Sequence, residues 1–62
     1  MSEDFQGLAA PAQRALAGAG IDSLDGLAKR TEREVAALHG MGPNALRLLR
    51  EKLAAKGLGF RG

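Results

Sequence analysis

The sequence predicts an all-α fold, a compact bundle of four to five short helices, and three observations carry that expectation. Leucine and alanine dominate the 62 residues while β-branched residues are confined to Ile21, Thr31 and Val35, a balance that favours helix over strand. Thr31-Glu32-Arg33-Glu34 has the spacing of a helix-starting capping box. Gly40-Met41-Gly42-Pro43 separates two apolar patterns of helical period, so two helices must meet there in a tight hairpin. A chain of this length makes one small domain near the lower limit for folding alone, and with no cysteine neither a disulfide nor a thiolate zinc site can supplement its core. We divide it into a lead-in over 1–7, a helical domain over 8–60 and a tail at 61–62.

Taken in order, the lead-in reads as a short frayed segment whose Phe5, with Leu8 just after it, can fold back on the core, worth ~2 kcal/mol each if fully buried. Pro11 suits the first position of a helix running to about Ala17, with Leu16 inward and Arg14 outward. Gly18-Ala19-Gly20 ends it and Ile21 plugs the turn. Asp22 or Ser23 can cap the next short helix, which carries Leu24, Leu27 and Ala28 on one side. Gly26 weakens that helix by ~1 kcal/mol relative to alanine and marks a place for close approach by a neighbouring backbone.

A third helix starts at the capping box, where the Thr31 hydroxyl accepts from the Glu34 N–H and the Glu34 carboxylate reaches back to the Thr31 N–H, and it runs to Leu38. Gly40 and Gly42 can both take positive φ, and Pro43 is pre-set to open a helix, so the chain passes from one helix to the next within about four residues. The last helix extends from Pro43 to about Lys56, with Leu46, Leu49 and Leu53 inward and Asn44, Arg47 and Glu51 outward. Leu48 lies off that stripe, placed to pack on the N-terminal segment or to serve a contact surface. Gly57 stands as a C-terminal cap, with Leu58 and Phe60 closing the underside of the core. A shift of twenty-two residues places Leu16 on Leu38, Gly18 on Gly40, Gly20 on Gly42, Leu24 on Leu46 and Leu27 on Leu49, which suggests a pseudo-duplicated pair of hairpins.

Charge is distributed unevenly. Residues 1–42 set Arg14, Lys29, Arg30 and Arg33 against six carboxylates, whereas from Pro43 on Arg47, Arg50, Lys52, Lys56 and Arg61 face only Glu51. The basic end is the one into which the hairpin opens, and it favours a polyanionic partner. At the start of the last helix the N–H groups of Gly42, Asn44 and Ala45 lack intrahelical acceptors and carry the positive end of the helix dipole, which is what gripping a phosphate oxygen requires. Pro43 adds no donor but fixes the turn, and Arg47 and Lys52 supply flexible charge to neighbouring phosphates. His39 can donate to a phosphate or cap the preceding helix, Asn44 can reach a base edge or a sugar, and Arg14 stands on an exposed face.

Residues Leu38, Gly40, Met41, Gly42, Pro43, Ala45 and Leu49 resemble the helix-hairpin-helix motif of sequence-tolerant DNA-binding proteins. From Leu8 to Phe60 the order of elements resembles the C-terminal domain of the bacterial RNA polymerase alpha subunit. That resemblance rests on Gly20-Ile21 with Leu24 and Leu27, Arg30-Thr31-Glu32 with Glu34, Met41-Gly42, and Leu53-Ala54-Ala55-Lys56-Gly57-Leu58. It implies a compact helical domain that contacts the DNA minor groove and nearby phosphates and also docks protein partners. The chain departs from the family where it would touch DNA. The family's minor-groove arginine falls on Pro11, its asparagine a turn later falls on Arg14, and the basic residues after the hairpin glycine are Pro43 and Asn44. Arg14 is a candidate substitute for the missing arginine, and with Met1 close to the domain a stand-alone protein is expected rather than a polymerase subunit.

The expected function is binding to the phosphate backbone of double-stranded DNA, largely independent of sequence. The alternatives are an interaction module of the sterile-alpha-motif type that serves transcription or repair proteins and no longer touches DNA, and an accessory domain to a repair or recombination enzyme. No catalytic role is expected, because so small a domain has nowhere to desolvate a pair of titratable groups, and Glu32 and Glu34 are explained by capping. One histidine and no cysteine argue against a transition-metal site, and no cofactor is expected. No apolar run approaches the ~18 residues that cross a bilayer, so the chain is read as a cytoplasmic monomer with no membrane partner.

Overall fold

The structure, a computed structural model, describes residues 3–61, and among these every regular element is helical. A 3₁₀ turn at Glu3–Phe5 leads to α1 (Ala10–Gly18), α2 (Leu24–Leu27), α3 (Glu32–Ala36) and α4 (Pro43–Ala55). Each contributes to one core. Phe5 and Leu8 come from the N-terminal segment, Ala12 and Leu16 from α1, Ile21 from the turn after it, Leu24 and Leu27 from α2, Val35 from α3, and Ala45, Leu49 and Leu53 from α4. Leu16, Leu27 and Leu49 are fully out of solvent.

The helix ends follow the chemistry of their residues. Ser23 caps α2, its hydroxyl accepting from the Gly26 N–H at 3.1 Å. The capping box at α3 is complete, with the Glu34 N–H donating to the Thr31 hydroxyl and the Thr31 N–H donating to the Glu34 carboxylate, both at 3.1 Å. Helices α1 and α4 end alike. Gly20 (φ +77) and Gly57 (φ +72) take the left-handed conformation, and the apolar residue after each donates back into the last turn, Ile21 to Leu16 at 2.9 Å and Leu58 to Leu53 at 2.8 Å. This 6→1 bond with its paired apolar contact is the Schellman termination.

Several expectations are corrected. Within the lead-in Asp4 and Phe5 are anchored rather than frayed, Phe5 being 3% exposed and the Asp4 carboxylate accepting from the Leu24 N–H at 2.9 Å, while residues 1–2 of the lead-in and residue 62 of the tail lie outside the described residues. Helix α1 begins at Ala10, one residue before Pro11. Helix α3 stops at Ala36 instead of Leu38, so the connection to α4 spans residues 37–42, longer than the four-residue hairpin expected. On α4 the buried row is Ala45, Leu49 and Leu53, spaced i, i+4, i+8, while Leu46 and Leu48 ride half-buried at its edges. No backbone presses on Gly26, whose nearest neighbour for an added Cβ is the Ser23 hydroxyl at 3.4 Å. That close approach occurs at Gly40, where an added Cβ would lie 2.8 Å from the Pro11 carbonyl oxygen. In the twenty-two-residue register the paired glycines differ in backbone course: Gly18 is inside α1 whereas Gly40 has φ +93, and Gly20 has φ +77 whereas Gly42 is extended.

Candidate nucleic-acid interface

The connection between α3 and α4 is built by local hydrogen bonds and one glycine. Leu38 N–H donates to the Val35 carbonyl and Met41 N–H to the Leu38 carbonyl, each at 3.1 Å, so the chain tightens as it leaves α3. Gly40, at φ +93, reverses it against α1. Gly42 then sits at the N-cap of α4 in an extended conformation (φ −99, ψ 174), not the left-handed one allowed for it, and Pro43 opens the helix. The Leu46 N–H donates to the Gly42 carbonyl at 3.1 Å, the first bond of α4.

What precedes that bond distinguishes α4 from its neighbours. The starts of α2 and α3 each carry a side-chain cap: at α2 Asp4 accepts from the Leu24 N–H and Ser23 from the Gly26 N–H, and at α3 Thr31 accepts from the Glu34 N–H. Gly42 has no side chain to offer, no cap hydrogen bond is made at α4, and the N–H groups of Gly42, Asn44 and Ala45 meet no acceptor among the described residues. Helix α1 also lacks a side-chain cap, but Pro11 has no N–H and the Ala12 N–H is spent on the Ala9 carbonyl at 3.0 Å. The longest helix among the described residues therefore presents an uncapped, positively polarised start.

The predicted site residues separate into those the fold gathers there and those it does not. Pro43, Asn44 and Arg47 are exposed at the start of α4, and Arg47 pairs with no carboxylate among the described residues. Ala45 turns its side chain into the core, leaving only its main chain for contact. Met41 is half-buried against the core with its N–H already used, which makes it a packing residue of the turn. Arg14 comes to the hairpin through tertiary structure: it shares with Pro11, Ala15, His39 and Gly40 an open cleft of about 390 Å³ between α1 and the turn. Lys52 goes elsewhere. It stands with Lys56 on the flank facing Asp4, and Lys56 pairs with that carboxylate at 3.4 Å. Nine residues beyond Pro43 along α4, Lys52 is roughly 13 Å from the helix start.

Several other charged groups hold the fold together. Arg50 joins α4 to α3 through Glu32, at 2.6 Å, and Arg30 donates to the Ala19 carbonyl at 3.3 Å. The Thr31 N–H, then its hydroxyl, hold the Glu34 carboxyl below its ordinary value, with Arg30 and Arg61 adding to the effect. The Leu24 N–H does the same for Asp4, helped by Lys56 and Lys52. These carboxylates are occupied by structural partners, and among the described residues none of them lines the cleft.

The fold and this surface define a small all-helical domain with an uncapped helix start that carries Arg47 and a nearby cleft lined by Arg14 and His39. No protein-family model, curated protein or solved structure matches the chain.

Proposed function

We propose that this chain binds double-stranded DNA through backbone phosphates, with little sequence preference, using the helix-hairpin-helix formed by α3, the turn and α4. The observation that carries the reading is the contrast among helix starts: those of α2 and α3 are each capped by side-chain oxygens of the chain itself, while α4 has no such cap and the donors of Gly42, Asn44 and Ala45 are open. A phosphate oxygen accepting from these groups gains directed hydrogen bonds and the favourable end of the α4 dipole. Arg47, one turn into the helix, adds charge at the same or the next phosphate. Base edges play little part, since Asn44 is the one polar side chain at the helix start placed to reach them.

A labelled short duplex titrated with the protein over a range of salt tests this. With about two to four phosphates neutralised, the logarithm of the binding constant falls against the logarithm of salt concentration with a slope of roughly −2 to −4. Arg47→Gln flattens that slope by about 0.9. Amide resonances that move on adding DNA cluster from Gly40 to Arg47. No binding at low salt, or binding indifferent to salt, overturns the reading, and in that case resonance changes around Leu48 and α1 on adding a transcription or repair protein would point to an interaction module instead.

A further inference from the structure

The cleft between α1 and the turn is a second feature of the same surface, and it is lined by Pro11, Arg14 and Ala15 on one wall and His39 and Gly40 on the other. Pro11 and Ala15 bring no charge, and Gly40 brings its wall against the Pro11 carbonyl so closely that a side chain there has no room. Arg14 is thus the one permanently charged group lining the cleft and His39 the one imidazole. Among the described residues no carboxylate lines it. The acids with identified partners are engaged elsewhere, Glu32 with Arg50, Glu34 with Thr31, and Asp4 with Leu24 and Lys56. From α4, Asn44 and Arg47 are the polar and charged groups of the first turns, and neither can neutralise an imidazolium.

We infer that this cleft holds a phosphate between Arg14 and His39 and that the hold tightens when His39 is protonated, so that the protein binds DNA more strongly as pH falls. The inference rests on the DNA-binding reading. Histidine is the side chain whose ordinary charge change falls between pH 5 and 8, and in its charged form it offers an anion entering the cleft a second cation beside Arg14. A phosphate oxygen supplies that anion, and protonation makes both ring nitrogens usable donors to it. Proton uptake and DNA binding then favour one another, and by linkage each raises the other's affinity by the same factor.

The duplex titration is repeated at about pH 8 and about pH 5.5, on either side of the ordinary histidine range, with the wild type, His39→Gln and Arg14→Gln. The wild type binds roughly three- to tenfold more tightly at the lower pH, the effect of one added charge at a phosphate, and its salt slope steepens there by about 0.9. His39→Gln loses one partner of the phosphate, and its affinity changes little between the two pH values. Arg14→Gln is weakened at both. Salt-dependent binding that is equal at the two pH values, or a pH response that survives His39→Gln, overturns the inference and leaves the DNA-binding reading standing. Absence of binding at low salt at both pH values removes both. Circular dichroism of each variant at each pH confirms that the helices are intact.

Discussion

Two glycines in the same turn are kept for opposite reasons. Gly40 is demanded by the fold, because it has φ +93 and a Cβ would meet the Pro11 carbonyl oxygen at 2.8 Å, a main-chain atom that cannot rotate away. Gly42 has neither constraint: its backbone is extended, as any residue's can be, and nothing lies within 4 Å of an added Cβ. An aspartate there would cap α4 better than glycine does, and its absence leaves the donors open. Gly40→Ala therefore lowers stability by about 2 kcal/mol or more, read from urea unfolding, through left-handed strain and the contact with Pro11. Gly42→Asp raises stability by roughly 0.5 kcal/mol, by capping and by reduced chain entropy in the unfolded state, while weakening DNA binding at least tenfold as its carboxylate takes the phosphate's place. Unchanged DNA affinity in a stabilised Gly42→Asp protein would sink the site.

At the scale of elements, what could be read from the sequence was what local chemistry determines. The Thr31 to Glu34 box, the Ser23 cap and the Gly57 terminator each involve residues within a few positions of one another, and each forms as the pattern implies. Helix α3 ends early because Leu38 and Met41 are claimed by turn hydrogen bonds that periodicity does not encode. Ala45 replaces Leu46 in the buried row because the row is set by which face of α4 meets the other elements, and a wheel weighted by hydrophobicity overrates the larger side chain. The Asp4 bond to Leu24 and the cleft between Arg14 and His39 join distant parts of the chain and leave no local trace. Both helix starts that engage carboxylates confer a pH dependence on the fold. Asp4 and Glu34 are held below their ordinary values in the folded state, so the unfolded chain binds protons more readily as acid is added. Their contribution is complete well above the ordinary carboxylate range and is lost as pH falls below about 4 and through the lower folded values. Urea midpoints measured from neutral pH to acid should decline in that window, and Asp4→Asn should make the decline shallower as well as lowering the neutral-pH midpoint. A decline of equal steepness in Asp4→Asn would remove Asp4 from the account.

The whole molecule is governed by how little core it has. Its buried residues come from every segment between Phe5 and Leu53, and no single pair of helices encloses the interior. The N-terminal segment is therefore structural: Phe5 is 3% exposed, and the adjoining Asp4 supplies the acceptor for the start of α2. A domain this small is expected to hold no more than about 3–5 kcal/mol, and deleting a buried phenyl ring costs about 3–5 kcal/mol once the cavity is counted. Phe5→Ala should accordingly leave most molecules unfolded at room temperature, with the helical circular dichroism largely lost and no cooperative urea transition. The hairpin would go with it, although Phe5 lies in the lead-in and far along the chain from Gly40, because Gly40 is positioned by α1 and α1 by the core that Phe5 completes. DNA binding in Phe5→Ala should then fall in proportion to the folded fraction and recover when a folding osmolyte is added, which separates loss of the scaffold from loss of a contact. A Phe5→Ala protein that unfolds at the wild-type urea concentration would show instead that the other elements close the core unaided.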